Sequence, residues 1–189
     1  MAMLKRKTLE QHEVSRLLAE LRDRKSAARD YFIVRFLLNT GLRVGELVSL
    51  DVGDVRDREA ITFRGKGGKM RTVPLNKRTR ALVADFLRDK KRRQESLAPD
   101  APLLLSRKRG RLSARSVQEL LDAWAQRVGI NGGKVTPHTL RRTFGTAVYR
   151  ERGIMAAKDL LGHSFVNTTQ IYIDSGEREK VAAVEALEF

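Results

Sequence analysis

The hydrophobic period of this chain switches from helical to alternating at one place, and that switch limits the fold. Ala60-Ile61-Thr62-Phe63-Arg64 alternates, Gly65-Lys66-Gly67-Gly68 forms a turn cluster, and Met70-Arg71-Thr72-Val73-Pro74 resumes the alternation. Two alternating runs around a glycine-rich turn read as a β-hairpin. Elsewhere apolar residues recur at the spacing of one helix face. The expected class is α+β: a mainly α-helical domain with a small antiparallel β-sheet.

The helices have readable ends. Thr8 with Gln11 reads as a capping box opening a helix to about Arg24, with Leu9, Val14, Leu17, Leu18 and Leu21 on one face and His12 on the solvated side. Ala27 to Asn39 follows, with Phe32, Ile33, Phe36 and Leu37 crowded together and Gly41 as the stop. Asn76 can cap a long helix ending in Lys90-Lys91-Arg92-Arg93, a run expected to be solvated. Leu103-Leu104-Leu105 is too short to type. Ser113 caps a helix whose stripe of Val117, Leu120, Leu121, Trp124 and Val128 places Trp124 in the core.

Charge narrows the partner. The 189 residues carry 38 Lys+Arg against 23 Asp+Glu, a net +15. An excess of that size predicts a polyanionic partner, nucleic acid before an anionic membrane surface. The chain has no cysteine, which excludes disulfides, thiolate zinc sites and cysteine nucleophiles. No apolar run of about eighteen residues occurs, and Met1 to Lys7 lacks a signal-peptide core, so the expected location is the cytoplasm.

The chemistry-bearing groups gather late. Thr136 at N-cap and Pro137 at N1 start a helix that carries His138 and Arg141, with Leu140, Phe144, Ala147 and Val148 as its expected buried stripe. On that wheel His138 and Arg141 share a flank at a helix N-terminus, where free N–H groups and the dipole favour an anion. Gly153 ends this helix, a short one spans Ile154 to Leu161, and Gly162 puts His163 at a turn. Tyr172 lies on a following segment read as helical. Upstream, Thr40-Gly41-Leu42-Arg43-Val44-Gly45-Glu46-Leu47 is a glycine turn feeding a short helix with Arg43 near its first turn. Glu46 is three residues on and can pair with Arg43; by itself that is also an ordinary surface ion pair. Lys66 among three glycines can be carried close to a ligand, or be a plain basic turn; the spacing is not that of a Walker loop.

Taken together and in order, Thr40 to Leu47, Gly65-Lys66-Gly67-Gly68-Lys69, His138-Thr139-Leu140-Arg141, Leu161-Gly162-His163 and Tyr172 resemble the catalytic domain of tyrosine recombinases, the phage integrase and Xer group. The resemblance spans roughly Thr8 to Tyr172. It implies that Tyr172 attacks a scissile DNA phosphate, leaving a 3′-phosphotyrosyl bond and a free 5′-hydroxyl. Arg43 and Arg141 would hold the non-bridging oxygens, Lys66 would protonate the leaving oxygen, His138 would assist proton transfer, His163 would bond the phosphate, and Glu46 would orient the site. Lys69, Arg71 and Arg142 are candidate DNA contacts, and Lys69 competes with Lys66 for the acid role. The implied partner is a double-stranded recombination site bound by a homo-oligomer, dimer to tetramer, with no small-molecule substrate.

The chemistry asks for such a set independently. A phosphorane concentrates negative charge that guanidinium forks stabilise; a phenol needs a base or a cationic field to attack, and an alkoxide leaves poorly without a proton donor. One phosphoester replaces another, so no cofactor and no metal is expected. The resemblance departs at Arg142, where the family often has a second histidine, and at the N-terminus, where the core-binding domain usual in the family is expected to be missing. The expected organisation is a tail over 1–7, the catalytic domain over 8–175 and a helix over 176–189 that packs on a neighbouring protomer or in cis. A non-cleaving DNA-binding regulator and a type IB topoisomerase are the alternatives.

Overall fold

A computed structural model describes residues 8–24, 27–64, 70–130 and 134–161. Along the chain run α1 (Gln11–Asp23), α2 (Ala28–Thr40), α3 (Val44–Ser49), α4 (Val52–Val55), β1 (Ala60–Arg64), β2 (Met70–Pro74), α5 (Lys77–Arg92), α6 (Ala114–Arg127) and α7 (Pro137–Leu161). The two strands pair antiparallel with Ile61 opposite Val73 and Phe63 opposite Arg71. The α+β class and the hairpin are as expected, while the turn between the strands lies outside the described residues.

Helix α2 lies at the centre because it has little polar surface to leave in water. Phe32, Ile33, Val34, Phe36 and Leu37 are all buried, and α1, α5, α6 and α7 pack around them. Phe32 stacks on Phe86 of α5 with centroids 4.1 Å apart. The helix stops where expected: Gly41 takes a left-handed conformation (φ 61°) and its N–H donates to the Leu37 carbonyl at 2.9 Å.

Polar caps set most of the other starts. The Asn76 side chain accepts from the Thr79 N–H at 2.9 Å, Ser113 accepts from the Ser116 N–H at 3.1 Å, and Thr136 and Thr139 each accept from the other's N–H at 3.1 Å. Helix α7 then runs 25 residues with a break at Gly153 (φ 78°), the two helices expected on either side of that glycine.

Four expectations need correction. Helix α1 begins at Gln11, with Glu10 as N-cap, and Thr8 lies outside it. The Leu9 N–H instead donates to Thr143 Oγ1 of α7 at 2.9 Å, so a distant partner draws these residues off the helix. Lys90 is not solvated: it is wholly buried, donating to Glu95 at 2.9 Å and to the Pro102 carbonyl at 3.3 Å. Trp124 is only partly buried against the core, because its indole N–H reaches outward to Asp30 at 3.0 Å. In α7, Leu140 is buried but Ala147 is exposed, and the buried face includes Arg141 and Gly145.

The α2 stop and this rotated face of α7 meet closely. A Cβ built on Gly41 would lie 2.2 Å from Phe144 Cδ1. Gly41→Ala combines that clash with an unfavourable positive φ and is expected to lower unfolding free energy by about 2 kcal/mol or more. Denaturant unfolding measures it. The pair Gly41→Ala with Phe144→Ala should cost less than the sum of the two single changes, because the second removes the clash.

Candidate active site

Arg43 is the N-cap of α3, beside its first turn as expected, and its partner is local. The Arg43 backbone N–H donates to Glu46 Oε2 at 2.7 Å while its guanidinium Nη1 donates to Glu46 Oε1 at 2.9 Å. A carboxylate three residues into a helix satisfies an orphan N–H at its start, and here it also grips the side chain. Arg43 stays 53% exposed whereas Glu46 is only 16% exposed. The anion is sheltered and the cation it aims faces solvent, so this is more than a surface ion pair. Arg111 supports the other end of α3, donating to the carbonyls of Val48, Ser49 and Leu50 at 3.0–3.1 Å and to Asp51 at 2.6 Å.

Glu46 has a second cation. Arg71 Nη2 donates to Glu46 Oε2 at 2.7 Å, and Arg71 Nη1 donates to the Leu161 carbonyl at 2.9 Å. With a side chain 10% exposed, Arg71 points inward, toward Glu46 and the Leu161 carbonyl. The signal for this was in the hairpin itself: successive strand side chains alternate faces, Val73 is buried, and Arg71 two residues earlier shares that face. Burial lowers the Arg71 pKa, Glu46 pulls it back up, and Arg43 lowers it again. A guanidinium remains protonated through such changes.

Arg141 and His138 part company, against the expectation of a shared flank. Arg141 is buried, at 3% exposure, and its guanidinium donates to the carbonyls of Gly41 and Leu161. Those carbonyls explain its position: one belongs to the turn after α2, the other ends α7, where backbone acceptors lack helical partners. Neither acceptor is visible in side-chain patterning. His138 is exposed at the start of α7. Leu161 thus receives two arginines, and through Arg71 and Glu46 the bonded path reaches Arg43.

Arg142 is half-buried on α7 and acts on His138 through space. Lys66, Lys69, His163, Tyr172 and the helix expected over 176–189 lie outside the described residues, so the structure brings together Arg43, Glu46, Arg71 and Arg141 from the expected set. Among the described residues no cluster of His, Cys, Asp or Glu could hold a metal ion, and no helix is long and apolar enough to cross a membrane.

Partial burial lowers the His138 pKa from 6.5, and the charges of Arg142 and Arg141 lower it further. The imidazole is therefore mainly neutral at neutral pH and able to accept a proton. The unfolded chain takes up this proton more readily than the folded one, so stability falls as pH drops below 6.5 toward the folded value. By NMR, His138 should titrate below 6.5, and Arg142→Gln should move the midpoint back up.

Comparison with known proteins identifies the family. The Phage integrase family profile matches residues 7–179. The chain is 38% identical over 174 residues to tyrosine recombinase XerC of Caldanaerobacter subterraneus subsp. tengcongensis, covering 89% of this chain and 48% of that protein. It thus spans about half the length of that curated relative. The crystal structure of XerA recombinase superposes with a TM-score of 0.80 at 31% identity, covering 98% of this chain and 67% of that one. The catalytic domain of bacteriophage HP1 integrase gives a TM-score of 0.62 at 27% identity, covering 95% of this chain and 94% of that one. With the motifs in order, the fold matched and the family profile covering nearly the whole chain, this protein belongs to the phage integrase family of tyrosine recombinases.

Proposed function

We propose that the chain catalyses site-specific DNA recombination by cutting and rejoining strands through Tyr172. One observation carries the reading: Arg43 and Arg141, far apart in sequence, belong to one bonded path through Glu46, Arg71 and the Leu161 carbonyl. Two preset guanidinium groups suit a phosphoryl group that gains negative charge in its transition state, because they need no reorganisation as it forms. Support also comes from the net +15, which fits a duplex partner whose phosphates supply sequence-independent affinity.

In this reading the Tyr172 hydroxyl attacks phosphorus, its proton passes to the neutral His138, and the P–O5′ bond breaks as Lys66 protonates the leaving oxygen. Arg43 and Arg141 hold the non-bridging oxygens, with His163 bonding the same phosphate. Religation reverses these steps with a new 5′-hydroxyl, so the phosphoester count is unchanged. No nucleotide or cofactor is consumed. The partner is a double-stranded recombination site bound by two to four copies of the chain, and the location is the cytoplasm, where such DNA is reached.

A nicked substrate whose short fragment bearing the freed 5′-hydroxyl diffuses away after cleavage should accumulate a covalent protein–DNA adduct. Tyr172→Phe should abolish it; an adduct that persists would refute the reading. Arg43→Ala should slow adduct formation by about 10²–10³-fold, the scale of losing one oxyanion donor. Its DNA affinity should stay within a few-fold, since other cationic contacts supply binding.

A further inference from the structure

The guanidinium at position 71 is expensive for a structural prop. It is nine-tenths buried, and its Nε N–H is buried with no hydrogen-bond partner among the described residues. Leaving a buried donor unmet is a cost that an apolar side chain of similar size would avoid. The group is nonetheless held on several sides. The Phe63 ring of the facing strand lies 5.6 Å from it, Glu46 accepts one N–H and Leu161 another. Two of these contacts lead to residues assigned to the phosphate.

Glu46 Oε2 is shared between the Arg43 backbone N–H and Arg71 Nη2, both at 2.7 Å, leaving Oε1 for the Arg43 side chain at 2.9 Å. A carboxylate on a short side chain can turn about its last bond. Pinned at Oε2 by two donors, it presents Oε1 in one direction. The Leu161 carbonyl is shared between Arg71 and Arg141, so any shift of Arg71 is felt by both phosphate-binding arginines.

We propose that Arg71 is a positioning residue for phosphoryl transfer, holding the Glu46 carboxylate that aims Arg43 and registering that pair against Arg141 through the Leu161 carbonyl. This rests on the recombinase reading, in which Arg43 and Arg141 hold the phosphate. Its effect travels through geometry, so it belongs to the reaction rate and not to DNA affinity. A bond-length misplacement of a catalytic group is enough to cost on the order of 100-fold.

The test uses the full chain with Arg71→Leu and Arg71→Lys, the lysine variant standing in where leucine prevents folding. In the DNA-free protein, amide hydrogen exchange at Arg43 reads the Glu46 bond without any cleavage. It should quicken in both variants, while amides of Phe36 and Val83 exchange as before. On nicked DNA, adduct formation should fall on the order of 100-fold in Arg71→Leu and less in Arg71→Lys, whose single ammonium reaches one of the two acceptors. DNA affinity should hold within a few-fold. A substrate with sulfur at the bridging 5′ position, whose thiolate leaves without a proton, should not restore the rate. Unchanged Arg43 exchange together with unchanged cleavage would overturn the proposal, as would affinity falling in step with cleavage, or full rescue by sulfur, which would place the effect in the turn that carries Lys66. If the unaltered protein forms no adduct, the recombinase reading fails, and Arg43 exchange still decides whether Arg71 positions it.

Discussion

Two arginines, one from a β-strand and one from a helix, converge on the carbonyl of Leu161, and the arrangement of the site depends on that convergence. A helix ends with carbonyls that have no partner in the helix, and the dipole there favours positive charge. The guanidinium groups of Arg71 and Arg141 meet both demands. In doing so they fasten the end of α7 to the hairpin and to the turn after α2, where Gly41 supplies the second acceptor. The chain leaves Leu161 directly into Gly162-His163, so this fastening lies at the origin of the segment that carries the proposed nucleophile.

Among the described residues, Arg43 and Arg71 share one carboxylate, that of Glu46, and it orders the cations without cancelling them. Arg71 spends its charge on the inside while Arg43 is left half in solvent with its direction fixed. His138 is kept neutral by partial burial and by the charges of Arg142 and Arg141. Oriented guanidinium groups and a neutral proton acceptor are what an anionic substrate attacked by a phenol calls for.

Much of the architecture was legible because it is local. The change of period marked the hairpin, side-chain oxygens at Asn76, Ser113 and Thr136 marked helix starts, and Gly41 and Gly153 marked stops that need a positive φ. The misreadings are residues whose partners are remote. Leu9 follows Thr143 out of its helix, Lys90 is buried because Glu95 and Pro102 fold over it, and α4 is a four-residue turn of helix docked by Val52 N–H on Ala101 and Gly53 N–H on Pro99. In the site, the Arg43–Glu46 pair was visible at i,i+3, but its depth was not, since that comes from Arg71. Arg141 parted from His138 because backbone carbonyls, which no sequence pattern displays, captured its guanidinium. The inward turn of Arg71 was legible, from the alternation that buries Val73.

The cradle is proposed to serve a tyrosine. After trapping on nicked recombination-site DNA, nuclease trimming and protease digestion, tandem mass spectrometry locates the residue that carries the nucleotide. The account predicts a phosphonucleotide on the phenolic oxygen of Tyr172, joined through the 3′ phosphate. Attachment to any other residue, or through the 5′ end, would contradict it.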